Sequence, residues 1–450
     1  VEAWLEKTNY PLWRKVELLE KWGKMTHIRD KKNKYFECKS FMKDETYPEF
    51  KYPRAINSRS DEFKCYVGPI FKLIEEAVFR LDWFIKKIPV AERPEFIRRK
   101  LLRNGGIYKA TDYTAFEANF RKKLMEVCEF ELYDFMTSHL PTGKDFMSII
   151  REALLGTNKC VFKYFDVFVK ATRMSGEMCT SLGNGFSNLM FMLFMCDYIG
   201  TKDVDGVVEG DDGLFTGHGP WPTEEDFAQL GLMLKMETHS ELSEASFCGL
   251  IFDTEELINV TDPLEVLSSF GWTSGVYCRS RRSKLNALLR AKALSVAYQY
   301  SGCPILTALA RYGLRVTRGY DVRPLLEQDR TMSLWYREQL LEALRHPVLL
   351  REPGPRTRLL VEKKYGISVE TQLAVEKYLD QKNDLEPISS PYLINLIPVQ
   401  WKHYSDKYVM TAKGKDKNWS RPAAFHTCRQ DIRRSVFSDL EWDGHFLVKV

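Results

Sequence analysis

Val207-Val208-Glu209-Gly210-Asp211-Asp212-Gly213-Leu214-Phe215 sets two adjacent carboxylates between short apolar runs, at a turn bounded by glycine. Apolar residues flanking Gly-Asp-Asp-Gly predict a tight β-hairpin with both acids at its tip. A turn fixes the backbone, so the carboxylates are placed without relying on long flexible side chains. Hard divalent cations take oxygen ligands, and such a tip is suited to gripping them. The alternative is a solvated surface turn, because Asp-Gly is ordinary hairpin chemistry. The stretches around it bear on the choice.

Upstream, Arg173-Met174-Ser175-Gly176-Glu177-Met178-Cys179-Thr180-Ser181-Leu182-Gly183-Asn184-Gly185 is dense in small polar residues and leads into a very apolar helix over 186–196. A polar, glycine-rich loop entering a buried helix has the character of a phosphate or ribose cradle. It is equally the pattern of a plain capped helix start. No Gly-Lys-Ser/Thr closes it, which leaves P-loop NTP hydrolysis unsupported. Further upstream, Ile107-Tyr108-Lys109-Ala110-Thr111-Asp112 predicts a short strand ending in Asp112, and residues 113–117 lead into a helix through about 138. Asp112 and Glu117 thus offer two acids near one site. Their alternatives are a helix N-cap for Asp112 and a dipole-favoured first-turn position for Glu117.

Nearer the start, Lys51-Tyr52-Pro53-Arg54-Ala55-Ile56-Asn57-Ser58-Arg59 predicts extended or turning backbone around Pro53. With Lys43 it presents four cations able to hold a triphosphate. The alternative is a salt-bridged surface neutralised by Asp44, Glu45, Glu49, Asp61 and Glu62. An amphipathic helix is expected over about 67–87. Past the acidic hairpin, 227–236 reads as helical and ends near Lys235, and 247–252 as a strand or tight hairpin. From Asp262 the composition shifts. A basic helix is expected from 279 to 300 with Arg290 and Lys292, then helical patterns over 323–345 and 369–382. The last fifty residues set Trp401, Tyr404, Tyr408 and Trp419 among Lys402, Lys407, Lys413, Lys415 and Lys417. Bases can stack on such rings while cations follow the backbone; a tail packed back on the protein fits the same pattern.

A chain of 450 residues that is 44% hydrophobic, with 27 Phe, 21 Tyr and 10 Trp, can form two or three packed units. The net charge of +5 permits a nucleic-acid partner without requiring one. Ten cysteines lack C-x-x-C or zinc spacing, as expected of free, mostly buried thiols in a reducing compartment. No apolar run is long enough to span a bilayer and no signal-peptide pattern occurs. The chain begins at Val1 rather than Met, the pattern of a processed or trimmed piece.

Asp112-x4-Glu117, Ser175-Gly-x3-Thr180-x3-Asn184 and Gly210-Asp211-Asp212 occur in a fixed order. That order and spacing resemble motifs A, B and C of viral RNA-dependent RNA polymerases, and the run 173–184 is similar to positive-strand viruses of the tombusvirus and nodavirus kind. Lys43-Asp44-Glu45 with Pro53-Arg54-x-Ile56 and Arg59 resembles the basic motif F, Lys235 falls where motif D places a lysine, and Phe247-Cys248-Gly249 resembles motif E. The resemblance covers about residues 40–255.

It implies an α+β right-hand polymerase with fingers, palm and thumb, a ferredoxin-like antiparallel palm sheet and a largely helical thumb. The expected pieces are fingers over 1–104, palm over 105–138, a fingers insert over 139–170, palm over 171–260, and thumb with tail over 261–450. The implied activity is template-directed nucleotidyl transfer from NTPs to an RNA 3′-hydroxyl, replicating a viral genome with two Mg²⁺ or Mn²⁺ ions. Asp112, Asp211 and Asp212 would be the metal ligands. Ser175, Thr180, Asn184 and Glu117 would surround the ribose, and Lys43, Arg54 and Arg59 the NTP phosphates. Lys235 would protonate pyrophosphate; its alternative is to complement a helix dipole. The second motif A acid is usually Asp, and here it is Glu117. The basic helix over 279–292 would hold the duplex of template and product through its phosphates, and 401–419 is a candidate priming element. Partners would be RNA, NTPs and other viral replication proteins. The expected location is the host cytoplasm, at membrane-associated complexes reached through segments or partners outside this chain. Two other readings share these features: an RNA-binding scaffold with an inactive palm, and a reverse-transcriptase-like polymerase.

Overall fold

The computed structural model describes residues 1–47, 49–103, 105–386, 388–393, 396–411, 427–429, 440–442 and 447–449. The chain divides into two units, one of Val1–Lys43 with Pro53–Leu257 and one of Asp44–Tyr52 with Ile258–Val450. The first is α+β and the second largely helical. Among the described residues, no helix is long and apolar enough to cross a membrane.

The first unit contains β1 (Cys38–Met42), β2 (Ala55–Arg59), β3 (Ile107–Tyr113), β4 (Thr157–Val161), β5 (Asp166–Lys170), β6 (Lys202–Glu209), β7 (Asp212–His218) and β8 (Leu234–His239). One sheet runs β6-β7-β3-β8, antiparallel throughout. The other runs β2-β1-β4-β5, with β1 and β4 parallel, so the N-terminal segment and the segment over 157–170 share a sheet. The helix Thr180–Ile199 is apolar on most faces, which suits it to burial. It stops at Gly200, whose φ of +93° is the left-handed C-terminal conformation glycine tolerates. Phe215 of β7 meets Phe116, Phe120, Phe191 and Met192 in one core. The strands approach closely there: a Cβ on Gly213 would lie 2.6 Å from Thr111 Oγ1.

Several elements depart from the sequence reading. The helix expected over 67–87 is Asp61–Val78; it starts earlier because Ser60 accepts the Phe63 amide and Asp61 and Glu62 complement the dipole. The helix expected from 117 to 138 is three pieces, Phe116–Asn119, Lys122–Val127 and Glu129–Thr137, broken where Phe120 and Cys128 leave helical dihedrals. The helix expected over 227–236 is Glu224–Gln229 followed by β8, because Gly231 turns the chain at φ +78°.

In the second unit, helices Arg282–Gln299, Leu306–Val316 and Leu334–Arg345 carry most of the packing around Leu294, Leu325 and Leu340. The pattern over 323–345 is two helices, Arg323–Glu327 and Leu334–Arg345. Between them the buried Asp329 accepts from the Thr331 amide at 2.8 Å and from Tyr277 at 2.9 Å, which holds a turn. Arg290 of the basic helix donates to the carbonyls of Leu314 and Thr317. Trp401 and Tyr404 pack with Trp272 at 5.9 and 5.4 Å, so these tail rings lie against their own unit. Trp419, Lys413, Lys415 and Lys417 lie outside the described residues.

Phe215→Ala empties the centre of the first core, where Phe215 is wholly buried. The expected loss is about 3–5 kcal/mol by chemical denaturation. A loss under about 1 kcal/mol would show that the sheet does not depend on this packing.

Candidate active site

The two strands that carry Asp112 and Asp212 are neighbours. Thr111 pairs with Gly213, so one residue on along each antiparallel strand Asp112 comes beside Asp212. Thr111 Oγ1 also donates to the Gly213 carbonyl at 3.3 Å. Glu209 pairs with Asp212 across the β6–β7 turn, which leaves Gly210 and Asp211 as its tip. Gly210 sits at φ +61°, the left-handed region that favours glycine. Asp112 lies on a strand, and the helix that follows starts after Ala115. The N-cap alternative for Asp112 therefore falls away.

Burial raises the pKa of both turn acids, and neighbouring carboxylates add to it. Asp211 is pushed up by burial and by the charges of Glu117 and Asp112, while Arg54 opposes the shift. Asp212 is pushed up to about 7 by burial and by Asp211 and Asp112. Asp112 thus acts on both turn acids and Glu117 on Asp211, with Arg54 as the cation opposing at Asp211 from the segment expected to be basic.

The 173–184 stretch comes to the same place. The side-chain amide of Asn184 donates to Glu117 Oε1 at 3.3 Å, which joins the second and third candidate stretches. Asn184 is buried, and its Oδ1 has no hydrogen-bond partner among the described residues. Thr180 Oγ1 donates to the Met174 carbonyl at 3.2 Å and the Ser175 carbonyl accepts from the Asn57 amide at 2.7 Å, so both residues close the loop. The Lys43 amide donates to the Arg54 carbonyl at 2.8 Å, which joins those two cations at the open end of β1 and β2.

Two expectations change. Arg59 is not at a phosphate channel. It is 3% exposed, paired with Glu177 at 2.7 Å, and donates to Ala153 O at 3.2 Å and to Phe36 O and Asn158 Oδ1. Burial leaves its guanidinium committed to the interior. Lys235 is not at a helix end, which removes the dipole alternative. It is the register partner of Asp112 on β8, exposed and paired with Glu237 at 2.6 Å, and hydrogen bonding to Glu237 raises its pKa.

One contributor is not singled out by the sequence. Asn188 Nδ2 donates to the carbonyls of Gly210 at 3.2 Å and Asp212 at 3.0 Å, so the buried helix pins the acidic turn. Its spacing of four from Asn184, one helical face, was the available signal. Cys248 sits at φ +53° in the Phe247–Leu250 turn. Burial and the charges of Glu209 and Asp212 hold its thiol well above its ordinary pKa.

No protein-family model matches the chain. Among curated proteins it is 25% identical over 207 residues to an RNA-directed RNA polymerase of Striped jack nervous necrosis virus, covering 43% of this chain. It is 22% identical over 386 residues, 77% of this chain, to an RNA-directed RNA polymerase of Tobacco necrosis virus (strain A). A third, from Greasy grouper nervous necrosis virus, is 25% identical over 208 residues. The chain resembles viral RNA-directed RNA polymerases. The matched stretches span 20%, 50% and 21% of those relatives' own lengths. The likeness agrees with the resemblance carried by residues 112–212.

An acid whose folded pKa lies above its ordinary 3.8 holds its proton more tightly folded than unfolded. Its stabilising contribution is therefore full below about pH 4 and is lost as the pH rises through 7. Without divalent cations, thermal stability is expected to fall between pH 4 and 8, with Asp212 accounting for up to about 4 kcal/mol. Asp212→Asn should flatten most of that slope. Parallel profiles for wild type and variant would show that Asp212 is not held in this way.

Proposed function

We propose that this chain is the polymerase core of a viral RNA-dependent RNA polymerase, adding nucleotides from NTPs to an RNA 3′-hydroxyl on an RNA template. The observation that carries the reading is the convergence of Asp112 with Asp211 and Asp212, beside the Glu117–Asn184 hydrogen bond. A carboxylate cluster of this kind, with Asp112 exposed and Glu117, Asp211 and Asp212 half-buried, is electrostatically incomplete, and its all-oxygen donor set suits a hard cation. Among the described residues, no three His, Cys, Asp or Glu side chains close into a ready metal cage. Mg²⁺ takes one or two carboxylates and completes its shell with water and substrate phosphates. Asp112, Asp211 and Asp212 would hold two such ions. When bound, Mg²⁺ or Mn²⁺ would activate the 3′-hydroxyl and stabilise the leaving pyrophosphate.

The chain's own residues supply the rest. Arg54, already opposing the charge of Asp211, would with Lys43 neutralise the triphosphate. Asn184 Oδ1, buried and without a hydrogen-bond partner among the described residues, would accept from a ribose hydroxyl, while its amide is held by Glu117. A hydroxyl read by a buried polar group distinguishes RNA from DNA precursors. Glu117 in place of the usual Asp is long enough to reach Asn184. Ser175 and Thr180 would line the same sugar from the loop. Lys235, kept protonated beside Asp112, would donate a proton toward pyrophosphate. In this reading β6-β7-β3-β8 is the palm sheet, β2-β1-β4-β5 belongs to the fingers, and the helices beyond Ile258 form the thumb that holds product RNA.

Radiolabelled NTP incorporation on an RNA template with Mg²⁺ or Mn²⁺ tests this. Wild type should make template-dependent RNA, and Asp211→Asn should lower the rate by about 100-fold or more while RNA binding persists. Equal incorporation by both proteins would remove Asp211 from the chemistry. No incorporation by wild type, with RNA still bound, would favour a scaffold.

A further inference from the structure

Segment 173–184 is anchored in the interior at both ends of its loop. Arg173 is 5% exposed; its guanidinium contacts Glu129 at 2.6 Å and lies 4.4 Å from the centre of the Phe120 ring. Glu129 is wholly buried and accepts from the Tyr133 hydroxyl at 2.9 Å. Glu177, four residues after Arg173, pairs with the buried Arg59 at 2.7 Å. Between these two ion pairs lie Met174, Ser175 and Gly176. Gly176 takes φ +104°, and a Cβ there would stand 2.9 Å from Ile56 Cγ2. The loop is therefore seated on β2 as well as tied down at each end.

The Arg173–Glu129 pair also supports the helix. A Cβ at Gly183 would overlap Glu129 Oε2 and the terminal nitrogens of Arg173. The helix thus rests on the ion pair one residue before Asn184. One pair sets where the loop begins and where Asn184 stands.

Stability alone gives little reason for such pairs. Taking two charges out of water costs about as much as their attraction returns, and well-packed apolar residues often do as well. Here, among the described residues, Glu129 Oε1 and Arg173 Nε also lack hydrogen-bond partners. What a buried pair with directional contacts does supply is one fixed geometry.

We propose that Arg173 with Glu129, and Arg59 with Glu177, are positioning residues that fix Ser175 against Asn184 and thereby set the choice between NTP and dNTP. This rests on the reading of 175–184 as the ribose-contacting segment. None of the four needs to touch the nucleotide. They act through the loop and through Gly183.

The test is single-nucleotide incorporation by the full chain on an RNA template, with NTP and dNTP compared through kcat/KM. Glu129→Gln keeps the volume and can still accept from Tyr133, while removing the charge opposite Arg173. It should lower the NTP-over-dNTP ratio by about tenfold. Backbone amide exchange should rise over 174–184 and stay unchanged over 202–218. Glu177→Gln, which leaves Arg59 its carbonyl and Asn158 acceptors, is the second variant and should shift the ratio in the same direction even if the first folds poorly. Both variants keeping the wild-type ratio, however slow on either sugar, would overturn the proposal. So would a lower ratio accompanied by faster exchange across the whole chain. A wild type that incorporates neither sugar overturns the polymerase reading and this proposal with it.

Discussion

The register of β3 against β7 brings together acids that are ninety-nine and one hundred residues apart in the chain, Asp112 with Asp211 and Asp212. Side chains alternate across a sheet, so a slip of one residue would turn Asp112 to the opposite face. Three local features hold the register: the Thr111 hydroxyl on the Gly213 carbonyl, the missing side chain at Gly213, and Phe215 locked in the core. Each is an ordinary packing device. Together they keep charged groups adjacent that would otherwise repel.

Burial first, and that repulsion second, raise the pKa values of Asp211 and Asp212. A fold tolerates it only if the turn is tied down, and Asn188 does so by donating to backbone on both sides of Asp211. The same helix carries Asn184 to Glu117 and, through Gly183, rests on the Arg173–Glu129 pair. The helix Thr180–Ile199 is therefore the element through which the acidic turn, Glu117 and the polar loop share one geometry. Local stability and candidate chemistry depend on the same contacts.

Much of this was legible in the sequence where a pattern is short and local. The hairpin at 207–215 is set by glycine and flanking apolar residues, and the strand expected over 107–112 is Ile107–Tyr113. Pro53 predicts extended or turning backbone over 51–59, and its 55–59 part is β2. What was not legible depends on tertiary partners. Arg59 looked like its neighbour Arg54, but only the fold shows that Glu177 and Asn158 meet it indoors. Lys235 sat in a plausible helix until Gly231 turned the chain into an edge strand. The ion pair of Arg173 and Glu129 spans forty-four positions, with no periodicity to betray it.

Whether Asp112 and Asp211 serve one cation site can be measured without turnover. Mn²⁺ binding would be titrated calorimetrically into wild type, Asp112→Asn, Asp211→Asn and the double variant. With a shared site, each single change should remove most of the affinity and the double little more, a strong coupling between residues on different strands. Independent, additive losses, or an Asp112→Asn protein that binds Mn²⁺ as wild type does, would contradict it.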